Sequence, residues 1–223
     1  MLIELSPERI LSMWAAGVAA AGVPIVVWKI AGRGFHALVA GVAGLLGLGA
    51  LLFGASWTAL VALVALALGA AFAGRPVVTA LLFAGAAAGL LVASASTGGW
   101  LPAITGAAAL GGVTDGMILG HWYLVKPRMP RWALHRVNLV GLIGLLADGA
   151  VLVGGGALVS GDSMPVVGWA FAGLSVFSVL LLVAVGLALR EPGYSAVMAA
   201  TGLFYLAELT VLGAVVTGRY IAG

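Results

Sequence analysis

Apolar residues in this chain fall into long unbroken runs, separated at short intervals by clusters of charged residues, glycine, proline and tryptophan. About 20 consecutive apolar residues are enough for an α-helix to cross the hydrocarbon layer of a bilayer. On that measure the chain divides into eight spans: 10–30, 35–55, 57–74, 77–97, 102–125, 133–158, 165–189 and 195–218. The runs are rich in Ala, Leu and Gly, and they lack the short polar–apolar alternation of membrane barrel strands. The pattern predicts an all-α integral membrane protein with eight transmembrane helices, forming one transmembrane domain over residues 1–223.

A weak self-similarity suggests how those helices are organised. A shift of 100 residues lays Gly44, Leu45, Leu46, Gly49, Ala50, Leu52 and Gly54 on Gly144, Leu145, Leu146, Gly149, Ala150, Leu152 and Gly154, and a separate shift pairs Pro76 with Pro192. The match reflects either duplication or the narrow Ala/Leu/Gly composition. Duplication would give two parallel four-helix halves, residues 1–98 and 99–223. The halves would not be equivalent, because Leu48 stands opposite Asp148 and every acid inside a span falls in the second half. Such a layout resembles, in topology alone, the quinone-binding anchors of the polysulfide-reductase type, and that likeness implies no residue role.

Charge orients the bundle. If loops alternate sides, those after spans one, three, five and seven carry Lys29, Arg33, Arg75, Lys126, Arg128, Arg131, Arg136 and Arg190, eight of the ten basic residues. The positive-inside rule makes that side the cytoplasm and puts both termini outside, as in a bacterial inner membrane protein. Aromatic residues fit this arrangement, with Trp28, Trp122, Tyr123, Trp132 and Tyr194 near the basic ends and Trp14, Trp57, Trp100, Trp169 and Tyr220 near the others. The first ten residues lack a basic start and a small-residue cleavage site, so the first apolar run is expected to be retained.

Composition narrows the chemistry. The chain is 63% hydrophobic, 8% charged and free of cysteine, which removes iron–sulfur clusters, c-type haem attachment and thiol nucleophiles. The net charge of +3 sits in short loops and serves topology, so no nucleic acid partner is expected. No lysine lies mid-span to carry retinal, and no GxxxxGK[ST] or HExxH motif occurs. With so little mass outside the membrane, the chain is not expected to be an enzyme on its own. The lipid bilayer and other membrane subunits are its expected partners.

Three of the seven acids, Asp115, Asp148 and Glu208, fall deep within spans five, six and eight. An ionised carboxylate there costs several kcal/mol unless it is hydrated, paired or hydrogen-bonded. No basic residue lies at that depth in the assigned spans, which favours neutral or proton-sharing carboxyls over salt bridges. Thr201, Tyr205 and Glu208 recur along one helical face, extending the candidate proton or ion path. On this reading Asp148→Asn abolishes activity while the protein stays folded. The alternative is that these groups merely glue helices together, with span eight docking on Ser175 and Ser178. Gly112, Gly116 and Gly120 form a smooth ridge beside Asp115 for close helix packing.

A second cluster lies at the basic ends, where His36, His121 and His135 stand among Trp122 and Tyr123. These residues supply the parts of a quinone head-group site or a b-type haem contact. Lys126, Arg128, Arg131 and Arg136 could instead meet anionic lipid phosphates, and the whole cluster could be only an interfacial anchor. The spacing of the imidazoles gives no metal site. Three readings of function therefore stand: a proton- or ion-handling transporter or subunit, a quinone- or haem-binding anchor of an electron-transfer complex, and a structural or assembly subunit.

Overall fold

The computed structural model describes residues 6–96, 99–155 and 165–222. The segment before Ser6 and the part of span six beyond residue 155 lie outside the described residues. Eight helices run in order: α1 (Pro7–Trp28), α2 (Arg33–Leu52), α3 (Trp57–Ala71), α4 (Pro76–Ala95), α5 (Trp100–Trp122), α6 (Arg131–Gly154), α7 (Pro165–Ala188) and α8 (Tyr194–Ala222). No strand occurs among the described residues.

Local chemistry sets the boundaries. Pro7 and Pro76 open α1 and α4, where a fixed φ suits the first turn and the missing N–H costs nothing. Gly193, at φ 134°, turns the chain into α8 through a backbone conformation that a side chain would strain. Seven of the helices are long and apolar enough to cross a membrane. The exception is α3, whose 15 residues, at about 1.5 Å each, fall short of a hydrocarbon layer of roughly 30 Å. Its span was expected to reach residue 74. The helix stops at Ala71 because Pro76 disfavours helical backbone at the residue before it and because the turn is closed locally. Arg75 N–H donates to Phe72 O at 2.8 Å, and the Thr79 hydroxyl donates to the same carbonyl at 2.8 Å.

Packing produces two closed rings of helices. In the first, α1 packs on α2 and α4, while α3 bridges α2 to α4. In the second, α5 packs on α6 and α8, while α7 bridges α6 to α8. The rings meet mainly along α1 and α5, and α5 is buried on nearly every face. Without a hydrophobic drive between helices in lipid, close approach must supply the adhesion, and glycine permits it. Gly17 of α1 abuts the backbone of Ala107 and Gly111, and Gly112 abuts Gly141 of α6. The rest of the α5 ridge faces α8, with Gly116 under Phe204 and Gly120 under Thr201.

The loops after α1, α3, α5 and α7 gather at one end of the bundle. Lys126 Nζ donates to Ile30 O at 2.9 Å, and Arg131 donates through Nη1 to Glu191 O at 2.5 Å and through Nη2 to Gly193 O at 2.6 Å. His36 Nδ1 donates to Ala73 O at 3.1 Å. Since a carbonyl can only accept, that bond places the imidazole hydrogen on Nδ1.

Candidate functional site: two buried polar centres on α5 and α8

The acids of the second ring occupy two separate centres. In the first, Asp148 of α6 is only 2% exposed and is gripped at both oxygens by Arg219 of α8. Nη2 lies 2.5 Å from Oδ1 and Nη1 lies 3.2 Å from Oδ2. The Thr105 hydroxyl of α5 donates to Oδ1 at 2.6 Å, and Arg219 Nη2 also donates to Pro102 O at 2.7 Å. Met13 of α1 closes the centre, its sulfur 3.7 Å from Nη2, and Arg9 interacts electrostatically with both Asp148 and Arg219. Four helices are thus tied through one ion pair, near the end of the bundle where α1 begins.

This centre departs from the sequence expectation of acids without a basic partner. The apolar run of span eight ends at residue 218, one short of Arg219, but α8 continues to Ala222. At about 3.6 residues per turn, that extension brings Arg219 round to the helical face of Glu208 three turns on.

The second centre lies deeper and is built on Thr114. Its hydroxyl oxygen accepts from Trp14 Nε1 at 2.7 Å and lies 2.7 Å from Leu110 O and 2.8 Å from Glu208 Oε1. Trp14, half-buried, therefore turns its indole N–H inward to α5. Glu208 is 8% exposed, and its second oxygen has no hydrogen-bond partner. Asp115 is fully buried, and neither of its oxygens is hydrogen-bonded among the described residues. Asp115 and Glu208 interact electrostatically across α5 and α8.

The polar stripe expected on α8 divides. Thr201 is buried against Gly120 and bonds to its own helix at Val197 O, whereas Tyr205 is 48% exposed on the outer surface. Docking of α8 on α7 runs instead through Ser178, whose hydroxyl lies 2.8 Å from Thr210 Oγ1. Ser175 Oγ makes no such bond.

The residues of the basic-end cluster make separate contacts. His121 is exposed, His135 is half-buried and His36 is buried against the α3–α4 turn. Trp122 packs edge-on against Phe35 at 5.9 Å, while the Tyr123 hydroxyl turns back to donate to Met129 O at 2.5 Å. Lys126 and Arg131 staple loops through carbonyls, Arg128 is exposed, and Arg136 places its guanidinium carbon 4.7 Å from the ring centre of Trp132 and 5.5 Å from that of Trp28. Among the described residues, no group of three or more His, Cys, Asp or Glu gathers as metal ligands would.

Three partners of the acids escaped the sequence, Arg219, Thr105 and Thr114, as did Trp14, which bonds to Thr114. Helical periodicity carried past Gly218 would have found Arg219. Thr114 could have been inferred from α5 itself, the least apolar of the long helices and rich in glycine and alanine, which marks it as central and buried on all sides. Nothing local to Trp14 or Thr105 announces a partner, since both contacts depend on how α1 and α6 cross α5. Comparison with family models, curated proteins and solved structures yields no match.

Proposed function

We propose that this is a multi-pass membrane protein that handles protons through Asp115 and Glu208, as a transporter or as a proton-handling subunit of a membrane complex. The observation that carries this reading is Asp115, fully buried with two unbonded oxygens beside a second buried acid. A lone carboxylate in such surroundings costs several kcal/mol, and two neighbouring ones cost more, so the pair is best accommodated holding a proton.

Thr114 can serve Glu208 in either protonation state. Its oxygen has one hydrogen and three close partners, and Leu110 O can only accept. When Thr114 donates to Leu110 O, the 2.8 Å contact with Glu208 is satisfied only by a proton on Glu208. When Glu208 is ionised, Thr114 must turn its hydrogen to the carboxylate and release Leu110 O. The hydroxyl thus couples a proton on Glu208 to the rotation of the Thr114 side chain. Asp148 takes a fixed part in this reading, since its pairing with Arg219 holds α5, α6 and α8 around the acids. Thr201, Glu208 and Arg219 are spaced by about 10 and 16 Å along α8 at roughly 1.5 Å per residue, so proton movement between them requires intervening water.

The proposed topology has eight crossings and two parallel four-helix halves. It is supported by the meeting of the four alternate loops at one basic end and by the matching closure of the two rings. Exposed Trp57 and Phe72 flank α3, where local thinning of the bilayer would accommodate its short length. The basic end is assigned to the cytoplasm of a bacterial inner membrane. The quinone or haem anchor is disfavoured, because Trp122 and Tyr123 are committed to separate contacts.

The test is proton flux into proteoliposomes under an imposed potential, read with an internal pH dye. The wild type is expected to conduct, and Asp115→Asn and Glu208→Gln are each expected to lower the rate at least tenfold while the helical circular dichroism is kept. Infrared spectra should show a carboxylic acid carbonyl band that Asp115→Asn removes or shifts. Flux unchanged in Asp115→Asn, or absent from the wild type together with that band, overturns the proposal.

A further inference from the structure

We propose that the groove between α1 and α6 binds one anionic phospholipid, its phosphate at Arg136 and an acyl chain along the groove floor. The inference is independent of the proton reading. Both α1 and α6 pack on α5 but make little contact with each other, which leaves a furrow of about 340 Å³ facing the lipid. Ala21, Pro24, Val137, Leu139 and Val140 give it an apolar lining with a single charged group, Arg136, at its end. That volume lies within the roughly 300–1,000 Å³ typical of small-molecule sites.

The end of the groove has a built geometry. Trp28 and Trp132 meet edge to face at 4.8 Å and close it, and the Arg136 guanidinium lies across both rings. No carboxylate pairs with Arg136 among the described residues. Contact with both rings holds the guanidinium at the end of the groove, where its fork of N–H donors matches two phosphate oxygens. Lys29, exposed beside Trp28, adds a second positive charge at this end. A planar indole pair at the headgroup level, a guanidinium beside it and an apolar trough running from it match a phosphodiester with its attached chain. A neutral quinone would fill the trough but would leave the cation without a counter-charge.

Native mass spectrometry of the delipidated protein, offered equal amounts of phosphatidylglycerol and phosphatidylcholine, tests the site. One phosphatidylglycerol should be retained in about fivefold preference, the value expected for one basic residue acting on an anionic headgroup. Arg136→Gln should bring the ratio most of the way to unity, whereas Arg75→Gln, exposed at the α3–α4 turn and outside the groove lining, should leave it unchanged. Val140→Trp, which fills the trough and keeps the charge, should reduce retention of both lipids. A wild type without preference, equal losses in Arg75→Gln and Arg136→Gln, or displacement of the lipid by added ubiquinone would overturn the assignment.

Discussion

Arg219→Leu is expected to lower the unfolding free energy by about 3–5 kcal/mol, because it leaves the Asp148 carboxylate buried without its counter-charge. Asp148 is almost wholly shielded, and its remaining donor, Thr105, supplies one neutral hydrogen bond where Arg219 supplied two charged ones. Arg219→Lys should be intermediate, since an ammonium keeps the charge but cannot span both oxygens and Pro102 O in one plane. The decisive comparison is the Arg219→Leu, Asp148→Leu double variant. Removing both charges together should recover most of the loss, as apolar replacements of buried pairs commonly do. Titration with sodium dodecyl sulfate in mixed micelles, followed by tryptophan fluorescence, measures the wild type, the three single variants Arg219→Leu, Arg219→Lys and Asp148→Leu, and the double variant. A single variant as stable as wild type, or a double variant showing the simple sum of two losses, would show that the pair does not hold the helices.

The same pair changes what Asp148→Asn can reveal. From the sequence alone that substitution is a clean functional probe, since it removes a proton-binding group from an otherwise uncharged layer. With Arg219 bound to Asp148, it instead strands a guanidinium and disturbs four helices. Asp115 and Glu208 are the cleaner probes, because no cation depends on either of them.

Helix number and order were legible because each apolar run is closed by prolines, glycines and charges, as at Trp28 to Arg33 and at Pro192 to Tyr194. The short α3 was not, because residues 72–74 are as apolar as the helix before them, and only the pull of Pro76 and the Thr79 cap ends it early. Burial of the three acids followed from their depth. Their division into an ion pair and an unpaired couple did not, because it depends on Arg219, whose position is fixed by α8 running a further turn beyond its apolar run. Tyr205 shows the limit of reasoning by periodicity. It shares a broad face with Thr201 and Glu208, yet it lies just past the edge where α8 leaves α5 and meets lipid. The basic-end histidines and aromatics are close in sequence, but their side chains answer to different neighbours, Phe35, Met129 and Ala73.

Gly17→Ala and Gly111→Ala are each expected to disrupt the junction between the two rings, although each adds a single methyl group. A Cβ built on Gly17 would run into the carbonyl of Ala107 and the amide of Gly111, and one built on Gly111 would run into the backbone of Gly17. Overpacking against side chains costs typically about 1–3 kcal/mol because rotamers can shift. Here the obstacle is main chain, so α1 and α5 must move apart along their length. That separation would also break the Trp14–Thr114 bond and loosen Met13 from Arg219, which couples the junction to both polar centres. The loss should therefore reach or exceed the top of that range. Gly41→Ala and Gly85→Ala, where nothing lies within 4 Å, serve as controls and should be neutral. Because the chain has no cysteine, pairs introduced on facing turns of α1 and α5 give an unambiguous cross-linking readout. Efficient cross-linking and wild-type stability in Gly17→Ala would mean that the two rings are not held by backbone contact at this crossing. Loss in Gly17→Ala and Gly111→Ala, with the two controls intact, would place the adhesion between the rings at one glycine pair.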